Sequence, residues 1–167
     1  MTIEIKPLTI HTGAEISGVD ITQPLSQSDA GEIWDAFLKW KVIAFRNQKM
    51  DHAQQVSFAR TFGELTIGHA VFGHVEGYPE IYSVAKNRWD NRYKPAPPNI
   101  RPWTGYHADI TAAHNPPSVS MLRGDVIPPY GGDTLWANLV VAYEGLSEPL
   151  KKFSETLRGL HRFEPPI

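Results

Sequence analysis

Tyr106-His107-Ala108-Asp109-Ile110-Thr111 places an imidazole and a carboxylate two positions apart. In an extended strand the side chains at i and i+2 face the same way, so His107 and Asp109 are expected to converge on one point. Such a pair, joined by a second His from elsewhere in a fold, makes a facial set of three ligands that leaves three iron positions open. Alone the pattern is a weak signal. Seven His and eight Asp in this length give about 0.3 His-x-Asp pairs by chance. A hydrogen-bonded His–Asp pair at a loop edge is therefore the favoured reading at this level.

The sequence on either side frames the pair. Upstream, residues 86–106 hold Pro95, Pro97, Pro98, Pro102 and Gly105 together with Trp89, Tyr93 and Trp103. A stretch this long without regular structure is uncommon inside a compact domain, and its aromatics are unlike a solvated linker, so 86–106 is expected to be an active-site loop. Downstream, Ser118 to Leu122 and Leu135-Trp136-Ala137 read as strands flanking the turn Pro128-Pro129-Tyr130-Gly131-Gly132-Asp133. The last expected element is a helix capped by Ser147, with Pro149 in its first turn, an apolar face of Leu150, Phe153 and Leu157, and Gly159 at its end.

Towards the N-terminus, residues 3–22 read as short strands and turns punctuated by Gly13 and Gly18. A helix is expected from about Ser28 to Lys39, because Ile33, Phe37 and Trp40 recur at i, i+4 and i+7 and Asp29 and Glu32 suit its first turn. Lys41 to Arg46 reads as a buried strand. Asp51 followed by Gln54 predicts a capping box that opens a helix through Phe62, with Gly63 ending it. Ile81 to Val84 reads as a further strand.

Composition limits the chemistry. The chain has 167 residues, 41% hydrophobic and 20% charged, which is ordinary for one globular domain. A net charge of −2 gives no reason to expect a nucleic-acid partner, which would usually need a basic face. No apolar run approaches the roughly 18 residues that span a bilayer. Met1-Thr2-Ile3-Glu4-Ile5-Lys6 lacks the layout of a signal peptide, so a soluble cytoplasmic protein is expected. The absence of cysteine excludes disulfides, thiolate metal sites and Cys nucleophiles, and leaves His, Asp and Glu as metal ligands.

Several motifs in register carry a resemblance. Tyr106-His107-Ala108-Asp109-Ile110-Thr111 with Asn115-Pro116-Pro117, then Gly131-Gly132-Asp133-Thr134-Leu135-Trp136, then Ala142-Tyr143-Glu144-Gly145-Leu146-Ser147, resemble the taurine dioxygenase family of iron(II)- and 2-oxoglutarate-dependent dioxygenases. Gly13-Ala14-Glu15-Ile16-Ser17-Gly18-Val19-Asp20 and Phe62-Gly63-Glu64-Leu65 extend the resemblance over nearly the whole chain. It implies that His107 and Asp109 are iron ligands and that Thr134 donates its hydroxyl to a 2-oxoglutarate carboxylate. The alternative for Thr134, beside Gly-Gly, is a turn residue that bonds its own backbone; the co-substrate role is the favoured one.

For the substrate pocket the resemblance points to His69, which matches a substrate-binding His if one residue is inserted. Phe72 stands where the family has a Tyr, and Trp103 falls near an Asn position. Loss of polar donors and gain of aromatic surface imply a substrate bulkier or more apolar than taurine. A structural role for His69 is as well supported as a substrate contact. His161 reads as structural, and His11, His52, His74 and His114 as surface or loop residues.

The implied fold is mainly β with flanking helices (α+β): a double-stranded β-helix, or jelly roll, of which residues 1–167 form the N-terminal part. The family completes its site with a distal His and a 2-oxoglutarate-binding Arg that this stretch does not supply, so the chain alone is expected to be catalytically silent. The implied reaction is hydroxylation of a small organic acid, a sulfonate, alkyl sulfate or related compound, using molecular oxygen and converting 2-oxoglutarate to succinate. Partners would be small molecules rather than nucleic acid or membrane, and a homo-oligomer is compatible with the sequence. Two alternatives are a truncated jelly-roll module that binds a ligand without turnover, and a metal-dependent hydrolase in which His107 and Asp109 hold zinc.

Overall fold

The structure is a computed structural model and describes residues 2–68, 73–84, 106–131 and 133–162. The first regular elements are β1 (Glu4–Pro7) and β2 (Ala14–Ser17), which pair antiparallel with Ile5 opposite Ile16. Helix α1 (Gln27–Trp40) then crosses over to β3 (Ile43–Phe45), which lies parallel to β2 with Ala14 opposite Ile43 and Ile16 opposite Phe45. The sheet order is β1-β2-β3. Its central strand alternates as a strand with one covered face should: Ala14 and Ile16 are buried while Glu15 and Ser17 are not.

The core forms where α1 lies over this sheet. Ile3, Ile16, Ile33 and Ala36 are its buried centre, with Ile5, Val19, Leu25, Ile43, Phe45 and Phe62 packed around them. Ser26 caps α1, accepting from the Asp29 amide at 3.0 Å, so the helix begins one residue before the expected Ser28. Lys41 closes α1 in the left-handed region at φ 66°, its amide donating to the Phe37 carbonyl at 2.7 Å.

Helix α2 (His52–Arg60) carries the expected capping box. The Asp51 amide donates to Gln54 Oε1 and the Gln54 amide to Asp51 Oδ1, both at 2.8 Å. The helix stops at Arg60, two residues short of the expected Phe62, and the chain turns through Thr61 to Gly63. Phe58 faces inward from α2 and meets Phe45 and Phe62 edge-on, with ring centroids 5.6 and 5.3 Å apart.

Among the described residues beyond 106 the regular elements are two short helices, α3 (Leu139–Glu144) and α4 (Glu148–Ser154). The expected strands at 81–84, 118–122 and 135–137 are irregular in the structure. A strand exists through its ladder of hydrogen bonds, and none of these stretches has a ladder partner among the described residues. Several of their apolar side chains face outward: Val84, Leu122, Leu135 and Trp136 are all more than half exposed. Helix α3 was not expected. Asn138 caps it, accepting from the amides of Val140 and Val141 at 3.0 and 3.3 Å. Ser147 stands at the N-cap of α4 with extended backbone, as expected, and Pro149 occupies the first turn, but the Ser147 side chain makes no cap hydrogen bond.

Candidate active site

His107 and Asp109 lie on an irregular stretch that leads into a turn over residues 109–112, not on a strand. Their convergence therefore has a different cause from pleat alternation. Immediately after Asp109 the backbone reverses at Ile110, a β-branched residue in the left-handed region at φ 51°. The turn is fastened by the Ala113 amide donating to the Ile110 carbonyl at 3.0 Å. That conformation is costly for a branched side chain and persists only where the surroundings impose it.

His107 Nε2 lies 3.3 Å from Asp109 Oδ1. Two donors each about 2.0–2.2 Å from one ion, at a right angle, would be about 3.0 Å apart, so one imidazole nitrogen and one carboxylate oxygen here fit adjacent positions around a metal. The same approach also serves as an ion pair if the imidazole is protonated. Both side chains are partly exposed, which gives an incoming group access.

The second carboxylate oxygen is engaged separately. Ser120 Oγ donates to Asp109 Oδ2 at 2.8 Å. A carboxylate only accepts, so the hydroxyl must be the donor. Sequence reading missed Ser120 because Ser118–Leu122 looked like an ordinary apolar strand; two serines alternating inside that run were the available signal.

Arg123, three residues on, was also missed. Its guanidinium donates to the Met50 carbonyl at 2.7 Å and to His52 Nδ1 at 2.9 Å, in a partly buried setting. His52, expected to be a plain surface or loop residue, is thus a docking point. Its ring also meets Tyr78 edge-on at 5.2 Å. Asn138 makes a second long tie, donating through Nδ2 to the His11 carbonyl at 2.8 Å.

Thr134 is exposed on the irregular stretch 133–138 and shares no hydrogen bond with the His107–Asp109 pair among the described residues. His69, Phe72 and Trp103 lie outside the described residues, as do all positions of the expected 86–106 loop except Tyr106, which is exposed. Among the described residues no group of three or more His, Asp or Glu side chains could together hold a metal ion. No helix among them is long and apolar enough to cross a membrane. In α3, Tyr143 Oη donates to Glu155 Oε1 at 2.5 Å, and that hydrogen bond raises the phenol above its ordinary pKa.

Comparison with known proteins bears on this geometry. The family described as taurine catabolism dioxygenase TauD, TfdA matches residues 4–167. An alkylsulfatase of Acinetobacter baylyi is 36% identical over 163 residues, which cover 97% of this chain and 48% of that protein. An alpha-ketoglutarate-dependent sulfate ester dioxygenase of Pseudomonas putida is 31% identical over 167 residues, covering 98% of this chain and 51% of its own length. The crystal structure of a taurine dioxygenase from Burkholderia xenovorans is 53% identical and superposes with a TM-score of 0.84, covering 99% of this chain and 55% of that one. The chain thus spans about half the length of the relatives it matches. A match that runs through the His107–Asp109 motif and almost every other residue leaves one conclusion: the chain belongs to the TauD/TfdA family of taurine catabolism dioxygenases.

Proposed function

We propose that this chain is part of an iron(II)- and 2-oxoglutarate-dependent dioxygenase that hydroxylates a small organic acid bearing a sulfate or sulfonate group. The observation that carries the reading is the 3.3 Å approach of His107 Nε2 and Asp109 Oδ1, two adjacent ligand positions within the family's own motif. In this reading His107 and Asp109 hold iron(II). Such a centre, with 2-oxoglutarate bound, supplies oxygen-dependent chemistry: the co-substrate loses carbon dioxide to become succinate, and one oxygen atom enters a substrate C–H bond.

The remaining roles belong to the chain's own side chains. Asp109 brings one negative charge to the site and His107 a neutral donor, two of the three protein ligands of a facial set whose three open positions are left to small molecules. Thr134 is assigned as a hydroxyl donor to a 2-oxoglutarate carboxylate, as the family resemblance implies. His69, Phe72 and Trp103 are assigned to the substrate pocket, where two aromatic side chains favour a substrate larger and less polar than taurine. Names of relatives that act on sulfate esters agree with that direction. The small sheet and its crossover helix are consistent with one part of a jelly roll, and we place the protein in the cytoplasm. Neither the third ligand nor the counter-charge for 2-oxoglutarate is assigned to a residue of this stretch.

The experiment is an assay of the natural-length protein with iron(II), 2-oxoglutarate and a panel of alkyl sulfates and sulfonates, with and without oxygen. Succinate and inorganic sulfate or sulfite should appear together and only with oxygen, and His107→Ala or Asp109→Ala should abolish both. Sulfate release without oxygen or 2-oxoglutarate would instead mean a hydrolase. Ligand binding with no succinate from any substrate would mean a silent binding module.

A further inference from the structure

We propose that Ser120 is a positioning residue for Asp109: its hydroxyl fixes the carboxylate so that Oδ1, and not Oδ2, is offered to the metal beside His107. The proposal rests on the reading of His107 and Asp109 as iron ligands and adds a residue to it.

A carboxylate on a short side chain turns readily about its last torsion, because that torsion is broad and nearly two-fold. Left alone, Asp109 would present either oxygen or both. In the structure the two oxygens have different surroundings. Oδ1 faces His107 Nε2 at 3.3 Å, and Oδ2 receives the Ser120 hydroxyl at 2.8 Å. A donor on Oδ2 occupies a lone pair there and opposes two-oxygen chelation, which would take up a further position at the metal. Single-oxygen binding keeps that position for other ligands.

Ser120 is itself held by features outside the site. Three residues further along, Arg123 is fastened at two points to Met50 and His52, at the start of α2. That helix begins with the capping box of Asp51 and Gln54 and packs Phe58 into the aromatic cluster beside the core. The hydroxyl is therefore presented from a stretch tied to the sheet-and-helix half. On the other side, the turn at Ile110 reverses the chain that leads from Asp109 to residue 120, and the two side chains meet. Partners outside the first ligand shell commonly change metal affinity about 10- to 100-fold when removed.

The test uses the natural-length protein, freed of metal with a chelator and titrated with Mn(II). Ser120→Ala should weaken Mn(II) binding about 10- to 100-fold while the thermal midpoint of the metal-free protein stays within a degree or so of wild type. Ser120→Thr, which keeps the hydroxyl, should bind Mn(II) within a few-fold of wild type. Undiminished affinity in Ser120→Ala, alongside lost affinity in Asp109→Ala, would overturn the proposal and leave the ligand reading intact. So would a Ser120→Ala protein that melts early without metal and is not rescued by Thr, since the hydroxyl would then be a loop fastening. Unchanged Mn(II) affinity in both His107→Ala and Asp109→Ala would overturn the ligand reading and this proposal together.

Discussion

Arg123 donates to His52 Nδ1 at 2.9 Å across 71 positions of sequence, and the same guanidinium reaches the Met50 carbonyl at 2.7 Å. Because arginine has only donors, the His52 ring must carry its proton on Nε2 when neutral. This contact fastens the stretch after the His-x-Asp motif to the N-terminal cap of α2. Arg123→Ala is expected to destabilise the protein by about 1–3 kcal/mol, the range for losing a charged hydrogen-bond donor. Arg123→Lys should recover only part of that, since one ammonium cannot reproduce the fork. Urea denaturation of the three proteins side by side provides the measurement; equal midpoints for wild type and Arg123→Ala would deny the contact a stabilising role.

Gly18 and Gly31 should respond to alanine in opposite directions. Gly18 has φ 77°, and a Cβ there would run into the Thr2 carbonyl oxygen where the chain enters β1. Gly18→Ala should cost about 1–2 kcal/mol from the left-handed backbone alone, before the clash is added. Gly31 is exposed in the interior of α1, and a Cβ there meets nothing within 4 Å. Gly31→Ala should stabilise by about 0.5–1 kcal/mol. Thermal denaturation reads both, and a destabilised Gly31→Ala would mean that α1 is covered on its outer face by something further.

Thr134→Ala should raise the 2-oxoglutarate concentration needed for half-saturation about 10- to 100-fold, equivalent to the roughly 1.5–3 kcal/mol of a hydrogen bond to a charged group. Metal affinity should be largely unaffected, because the hydroxyl is assigned to the co-substrate rather than the ion. Titration of each ligand separately distinguishes the two. A Thr134→Ala protein with an unaltered 2-oxoglutarate requirement would leave Thr134 as an ordinary turn residue.

Phe72 and Trp103 lead to a specificity prediction. In the proposed assignment these two aromatic side chains stand at polar family positions, so taurine should be turned over poorly beside longer alkyl sulfates, larger sulfonates or aryl-containing acids. Phe72→Tyr should shift the ratio of kcat/KM values toward taurine. Competition assays with paired substrates measure that ratio directly, and parity between taurine and the best larger substrate would contradict the assignment.

Local chemistry was legible in the sequence because its causes lie within a few residues. The capping box of Asp51 and Gln54 spans three positions, and the apolar recurrence of α1 needs only the helical period; both elements appear within two residues of their expected ends. The approach of His107 and Asp109 was also expected, since only two positions of chain separate them, although the stretch that carries them is irregular and not a strand. Helix α3 escaped notice because Leu139-Val140-Val141-Ala142 is strand-like in composition, and only the Asn138 side chain, capping two amides, turns it into a helix. The stretches 118–122 and 135–137 look like strands in isolation, but strand pairing depends on a partner that no local pattern supplies. Tertiary structure alone decided that Ser120 meets Asp109, that Arg123 meets His52 and that Asn138 meets His11, at separations of 11, 71 and 127 positions. A hydrogen bond across such distances forms only after the chain has folded the two groups together, and its partners carry no mark of one another in the order of residues.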